Sequence, residues 1–214
     1  MAAFDTIAFI GRDKIDFHFG GKILSFPFAP AFVKDLEVVD AEVFKTQLAA
    51  FLNKNGISFG TCAILLSEQV CFVSEVISKG LDLDDAQGDF LSTLPFENPV
   101  ARVLGNKIVG TNKDLYQAII DIVGQKGGRV KMISPIFLSK EMFGKKGLDS
   151  AMVDFVTKNE DSYFKATFAY EAPMPILTRP EVQPKKRSKR EIILVIVFGV
   201  FLLGFLIWLL TVIR

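Results

Sequence analysis

The chain has 214 residues, half of them hydrophobic, with 25 Lys+Arg against 24 Asp+Glu. That balance hides an asymmetry: without the cluster Lys185, Lys186, Arg187, Lys189 and Arg190, and without Glu191 and Arg214, 19 basic residues face 23 acidic ones, a net charge of −4. A mildly acidic body argues against nucleic acid as a partner, and two cysteines with one histidine supply no zinc ligand set at the required spacing.

The N-terminal segment MAAFDTIAFIGRDK lacks the basic start and long apolar core of a signal peptide. From Thr6 to Phe19 two apolar stretches flank Gly11-Arg12-Asp13-Lys14, which predicts a β-hairpin. Gly20-Gly21 turns the chain again into a third strand over Lys22 to Phe28, making a meander, and Glu37 to Val39 is read as a further short strand. Asp40 is the expected N-cap of a helix from Ala41 to Asn53. Phe44, Leu48, Phe51 and Leu52 form its apolar face, and Gly56 is its stop.

Thr61 to Leu66 and Val70 to Val76 are apolar, β-branched runs around Ser67-Glu68-Gln69 and read as a second hairpin. A short helix follows over Leu83 to Leu91, then two strands from Val100 to Thr111 around Gly105-Asn106. Thr111 and Asp114 stand at capping-box spacing before a helix from Lys113 to Val123, with Leu115, Ile119, Ile122 and Val123 on one face. Val130 to Leu138 is the next strand, broken near Pro135. Leu148, Met152, Phe155 and Val156 repeat the helical stripe, and Tyr163 to Tyr170 alternates as a last strand. Strands and helices interleave, so the body is α+β or α/β. Its 21 phenylalanines are spread along the chain, as expected of a Phe-rich core.

After Tyr170 the composition changes. Pro173, Pro175, Pro180 and Pro184 punctuate a stretch without apolar period, read as an extended stem; at about 3.1 Å per residue it reaches roughly 60 Å to Arg190. Ile192 to Ile213 is uncharged, with Thr211 its one polar side chain apart from the Trp208 indole. At about 1.5 Å per residue the run spans roughly 33 Å, enough for a hydrocarbon core. Cations at one end of a spanning helix stay on the cytoplasmic side, so Lys185, Lys186, Arg187, Lys189 and Arg190 orient the body inward. Each adds about 1 kcal/mol of attraction near anionic lipid. Trp208 is placed as an interfacial aromatic at the far end. Gly199 and Gly204 are five apart and miss the small-residue dimer spacing. Only Arg214 follows the run, so no fold is expected on the far face. The expected organisation is a body over 1–170 with an insert at about 35–100, a stem over 171–190 and an anchor over 191–214.

The element order has a resemblance. An extended segment leads through DAEVFKTQLAAFLNKNGI to TCAILLSEQVCFVSEV, then LDLDDAQGDF, Leu94-Pro95-Phe96, paired strands and KDLYQAIIDIVGQKGGRVKMISP. Over about residues 5 to 140 this resembles the N-terminal part of PilM, the actin-like cytoplasmic protein family of type IV pilus assembly. Its relatives are the cell-division protein FtsA and the cytoplasmic domain of the secretion protein GspL. The resemblance implies a partial actin-like body (RNase H-like, with an SHS2-type insert), which the single membrane helix read from Ile192 to Ile213 follows. It also implies docking to the cytoplasmic tails of inner-membrane pilus or secretion proteins. In such families a first phosphate loop carries an acid just before a Gly-rich hairpin. Here Gly11 stands in Ala8-Phe9-Ile10-Gly11-Arg12-Asp13-Lys14, and the acid position is apolar. The second half of a nucleotide cleft would need more than a hundred further residues where this chain turns into stem and anchor, so neither ATP binding nor ATPase activity is expected.

Direct signs of catalysis are weak. Asp82 with Asp84-Asp85, and Asp35 with Glu37, are carboxylate pairs of the kind found at solvated helix starts and loops. Ser67 and Ser74 have no evident base, His18 being the single imidazole, and Cys62 and Cys71 read as reduced thiols. No phosphate loop of the Walker type, dinucleotide fingerprint or HExxH occurs. The expectation is a non-catalytic, membrane-anchored adaptor without cofactor or metal, located at the bacterial inner membrane. The alternative is a membrane-tethered nucleotide-dependent switch or enzyme.

Overall fold

The computed structural model describes residues 4–75, 83–142 and 144–168. The first two strands, β1 (Thr6–Ile10) and β2 (Lys14–Phe19), form the expected hairpin, and β3 (Lys22–Pro27) completes the meander. A minimal hairpin, β4 (Val33–Lys34) with β5 (Glu37–Val38), precedes helix α1 (Ala41–Lys54). Asp40 caps α1 as its side chain predicts, accepting from the Val43 amide at 2.9 Å. Gly56, at φ +63°, reverses the chain behind the helix.

Strand β6 (Thr61–Leu66) and strand β7 (Cys71–Glu75) do not pair. β6 lies inside a five-stranded sheet of order β10-β6-β1-β2-β3, parallel to β1 and to β10 (Arg129–Pro135). A single 3-10 turn at Glu68–Val70 carries the chain out to β7, which joins a second sheet. The expected hairpin fails because all of Cys62 to Leu66 is buried, as a strand covered on both faces requires. β7 instead exposes Phe72 and Val73.

The second sheet has the order β7-β9-β8 and is antiparallel, built from β8 (Pro99–Leu104) and β9 (Lys107–Asn112), with helix α2 (Leu83–Thr93) on it. Gly110 makes that packing possible: a Cβ there would fall 2.6 Å from Leu94 Cδ1 and 2.8 Å from the Phe90 ring.

Helix α3 (Asp114–Gln125) begins without the capping box. Thr111 is still in β9 and its hydroxyl donates to the Val70 carbonyl at 2.7 Å. Asn112 takes the capping part, its side-chain oxygen accepting from the Asp114 amide at 3.0 Å. After β10 come α4 (Ser150–Lys158), capped by Asp149, and α5 (Glu160–Lys165). The strand expected over Tyr163 to Tyr170 is therefore corrected to a helix and its exit as far as Phe168. Glu160 and Asp161 favour a helix start, and Tyr163 is buried from a helical position. Among the described residues of that stretch, the Phe168 amide pairs in strand fashion, with the Ile133 carbonyl at 2.8 Å.

The main sheet has a packed layer on each face. Ala8, Ile10, Ile15, Phe17, Cys62 and Ile64 meet Phe44, Leu48 and Leu52 of α1 and Leu115, Ile119 and Val123 of α3. The alternate residues Ile7, Phe9, Ala63, Leu65 and Met132 meet Met152 and Val156 of α4 and Tyr163 of α5. The phenylalanines concentrate at the β3–α1 corner, where Phe32 stacks on Phe26 and Phe44 with ring centroids 5.9 and 5.6 Å apart. Among the described residues no helix is long and apolar enough to cross a membrane; the run Ile192 to Ile213 lies outside them.

Candidate functional site

The carboxyl ends of the parallel strands are where open α/β sheets gather ligands. At that end of β1 stands the hairpin Gly11–Lys14, and it is closed on itself. The Gly11 amide donates to the Lys14 carbonyl at 2.9 Å. The Lys146 carbonyl lies 3.7 Å from where a Gly11 Cβ would be, so a later loop covers the turn.

That loop is fixed from below by Asp16, a carboxylate 1 % exposed on β2. Asp16 Oδ1 accepts from Ser25 Oγ at 2.5 Å and pairs with Lys14 Nζ at 2.9 Å, while Oδ2 accepts from the Leu148 amide at 3.2 Å. A buried carboxylate needs such a set of donors. In the sequence Asp16 looks like an outward residue of an alternating strand. Its burial comes from a loop more than a hundred positions away, so no local signal marks it.

A phosphate bound on a hairpin needs main-chain amides aimed at it and space to enter. Here the Gly11 amide is spent within the turn, and Lys14 is paired with Asp16.

Beside this turn the structure opens. A cavity of about 280 Å³ lies between the hairpin and the β4–β5 turn, and of the stretches that the sequence singled out, Arg12 and Asp13 of the hairpin and Asp35, without Glu37, reach it. Arg12, Asp13, Lys34 and Asp35 line it together with Phe28, Pro30, Val33 and Leu36. All four charged residues are exposed. Among the described residues none of them forms an ion pair.

The wall of the cavity is held in an uncommon conformation. Asp35 and Leu36 have φ +51° and +68°, the left-handed region that disfavours a bulky side chain. Asn112 holds the turn: its side-chain nitrogen donates to the Leu36 carbonyl at 3.0 Å and to Glu37 Oε2 at 3.1 Å. Asn112 is buried and missing from the sequence-based set of candidates. Its place just ahead of an acidic helix start was the available signal.

Other candidates disperse. Asp85 is exposed on α2, while Asp82 lies outside the described residues. His18 is half-buried on β2, and among the described residues no group of three His, Cys, Asp or Glu could hold a metal. Cys62 and Cys71 are free thiols on strands of different sheets. Burial pushes the Cys62 thiol up to about 12 and raises that of Cys71 as well. Lys185, Lys186, Arg187, Lys189, Arg190 and Trp208 lie outside the described residues.

No protein-family model matches the chain, and no curated protein does. Among solved structures it is similar to a PilM–PilN type IV pilus biogenesis complex, at 8% identity over 62% of this chain and 47% of that one, with a TM-score of 0.40. It is also similar to a Bacteroides thetaiotaomicron protein with an actin-like ATPase fold and unknown function (13% identity, 59% of this chain and 51% of that one, TM-score 0.33). A third is the cytoplasmic domain of EpsL, an inner-membrane component of the type II secretion system of Vibrio cholerae (11% identity, 61% and 56%, TM-score 0.34). The chain spans about half the length of the solved structures it matches.

Proposed function

We propose that this chain is a non-catalytic adaptor of the partial actin-like kind, tethered at the inner face of a bacterial inner membrane. Its partners on this reading are anionic lipid at the basic stem and the cytoplasmic tails of inner-membrane pilus or secretion proteins. The observation that carries the reading is the closed Gly11 hairpin beside an open cavity whose four charges form no ion pair among the described residues. On this reading the turn is closed on itself, and the accessible charged surface beside it serves contact rather than phosphoryl transfer. The mixed sheet, a meander continued by two parallel strands, supports the actin-like part. The tether rests on the uncharged run Ile192 to Ile213 and the cations ahead of it. The pilus or secretion link rests on the element order and the segments quoted above.

The test is reconstitution. The full chain in native membranes should resist carbonate extraction, and on cross-linking it should capture the cytoplasmic tail of a defined inner-membrane pilus or secretion protein. Release by carbonate would remove the tether from the account, and failure to cross-link to any such tail would remove the adaptor function.

A further inference from the structure

Four charges line the cavity between the β1–β2 hairpin and the β4–β5 turn, two of each sign. Opposite charges that share a cavity normally neutralise one another. Here Arg12, Asp13, Lys34 and Asp35 do not: among the described residues, the ion pairs of Lys14, Lys45, Lys131 and Lys145 involve other carboxylates. The backbone keeps Asp35 at the rim through a left-handed turn that Asn112 pins from within. Phe28, Pro30, Val33 and Leu36 line it beside the charges, and about 280 Å³ holds a few side chains but not a folded element. A surface with this layout complements a group that carries both signs around an apolar centre.

We propose that the cavity recognises a short peptide segment in which a basic and an acidic side chain flank an aliphatic one. The basic group meets Asp13 and Asp35, the acidic group meets Arg12 and Lys34, and the aliphatic side chain rests on Phe28 and Pro30. This deepens the adaptor reading and rests on it, since it names the chemistry by which a tail would be held. Because the four charges are exposed, single contacts are weak and screened by salt. The isolated segment therefore binds loosely, and a membrane tether that raises its local concentration supplies the rest.

The probe is the blocked tripeptide acetyl-Lys-Leu-Glu-amide, titrated into the full chain in nanodiscs and followed by amide resonances. The expected result is a saturable shift confined to Gly11–Asp13 and Lys34–Leu36, weakened by added salt. The double variant Arg12→Gln, Asp35→Asn should raise Kd by about tenfold. Asparagine tolerates the left-handed backbone, so the Asp35→Asn change removes charge without removing the turn. An unchanged resonance pattern elsewhere in the double variant verifies its fold. Three results overturn the proposal: no shift at the cavity, equal shifts with acetyl-Gln-Leu-Gln-amide, or an unchanged Kd in the double variant. Any of these with tail capture intact would sink the cavity assignment alone. Loss of tail capture with the tripeptide still bound would sink the adaptor reading alone.

Discussion

Asn112 donates its side-chain amide to the carbonyl of Leu36 at 3.0 Å, joining the end of a strand in the small sheet to a left-handed residue in the wall of the cavity. The same side chain accepts from the Asp114 amide at 3.0 Å. One buried asparagine thus starts α3 and holds the β4–β5 turn. Asn112→Ala should lower stability by about 2–3 kcal/mol, since it removes a cap and leaves a carbonyl without its partner. Chemical denaturation in detergent gives the size of the loss. Nuclear resonance should locate the largest changes at Leu36 and at the first turn of α3, and an effect confined to α3 would show that Asn112 is only a cap.

Asp16 ties β2 and β3 to the loop that covers Gly11. Asp16→Ala leaves the Ser25 hydroxyl, the Lys14 ammonium and the Leu148 amide without their acceptor. The expected cost is about 2–4 kcal/mol, with faster proteolysis between Gly144 and Asp149 as the local signature. Unchanged proteolysis of that loop would mean that Asp16 does not hold it down.

Gly110 of β9 leaves room for the Leu94 and Phe90 side chains, Phe90 on α2 and Leu94 just after it. Gly110→Ala forces a methyl group against Leu94 and Phe90, with a cost of about 1–3 kcal/mol. Hydrogen exchange should speed up in α2 and leave β6 protected, because the overlap is confined to the small sheet. Loss of protection throughout β6 would contradict that placement.

Burial raises the Cys62 thiol from its ordinary value of 9.0 to about 12. As pH rises above that ordinary value, the unfolded chain releases the thiol proton while the folded one keeps it. The unfolded state then binds fewer protons, so the stability contributed by the neutral buried thiol falls from pH 9 upward and is lost through about 12. Melting temperature should decline over that window, with a shallower slope in Cys62→Ala. A thiol reagent at mildly alkaline pH should leave native Cys62 unmodified.

Several local features of the sequence were legible, although the Thr111–Asp114 box and the strand over Tyr163 to Tyr170 were misread, and long-range ones were not. Asp40 and the stripe Phe44, Leu48, Leu52 announced α1 because cap and period are properties of a few neighbouring residues. The β1–β2 turn was likewise marked by Gly11. The pairing of β6 was misread, since two β-branched runs separated by three residues look alike whether they form a hairpin or part into two sheets. What decides is burial on both faces of Cys62 to Leu66, which requires helices from distant stretches. At the site, Gly11–Lys14 and Asp35 were each noticed separately. Their meeting around one cavity depends on how the meander returns over its own edge, and the role of Asn112 depends on a contact between two sheets.

The most direct test of the central claim is a melting titration of the full chain with Mg-ATP. A closed Gly11 hairpin predicts a melting temperature independent of nucleotide concentration. A rise that grows with Mg-ATP, abolished by a substitution at Gly11, would show that the hairpin opens to take a phosphate, and the adaptor account would be wrong.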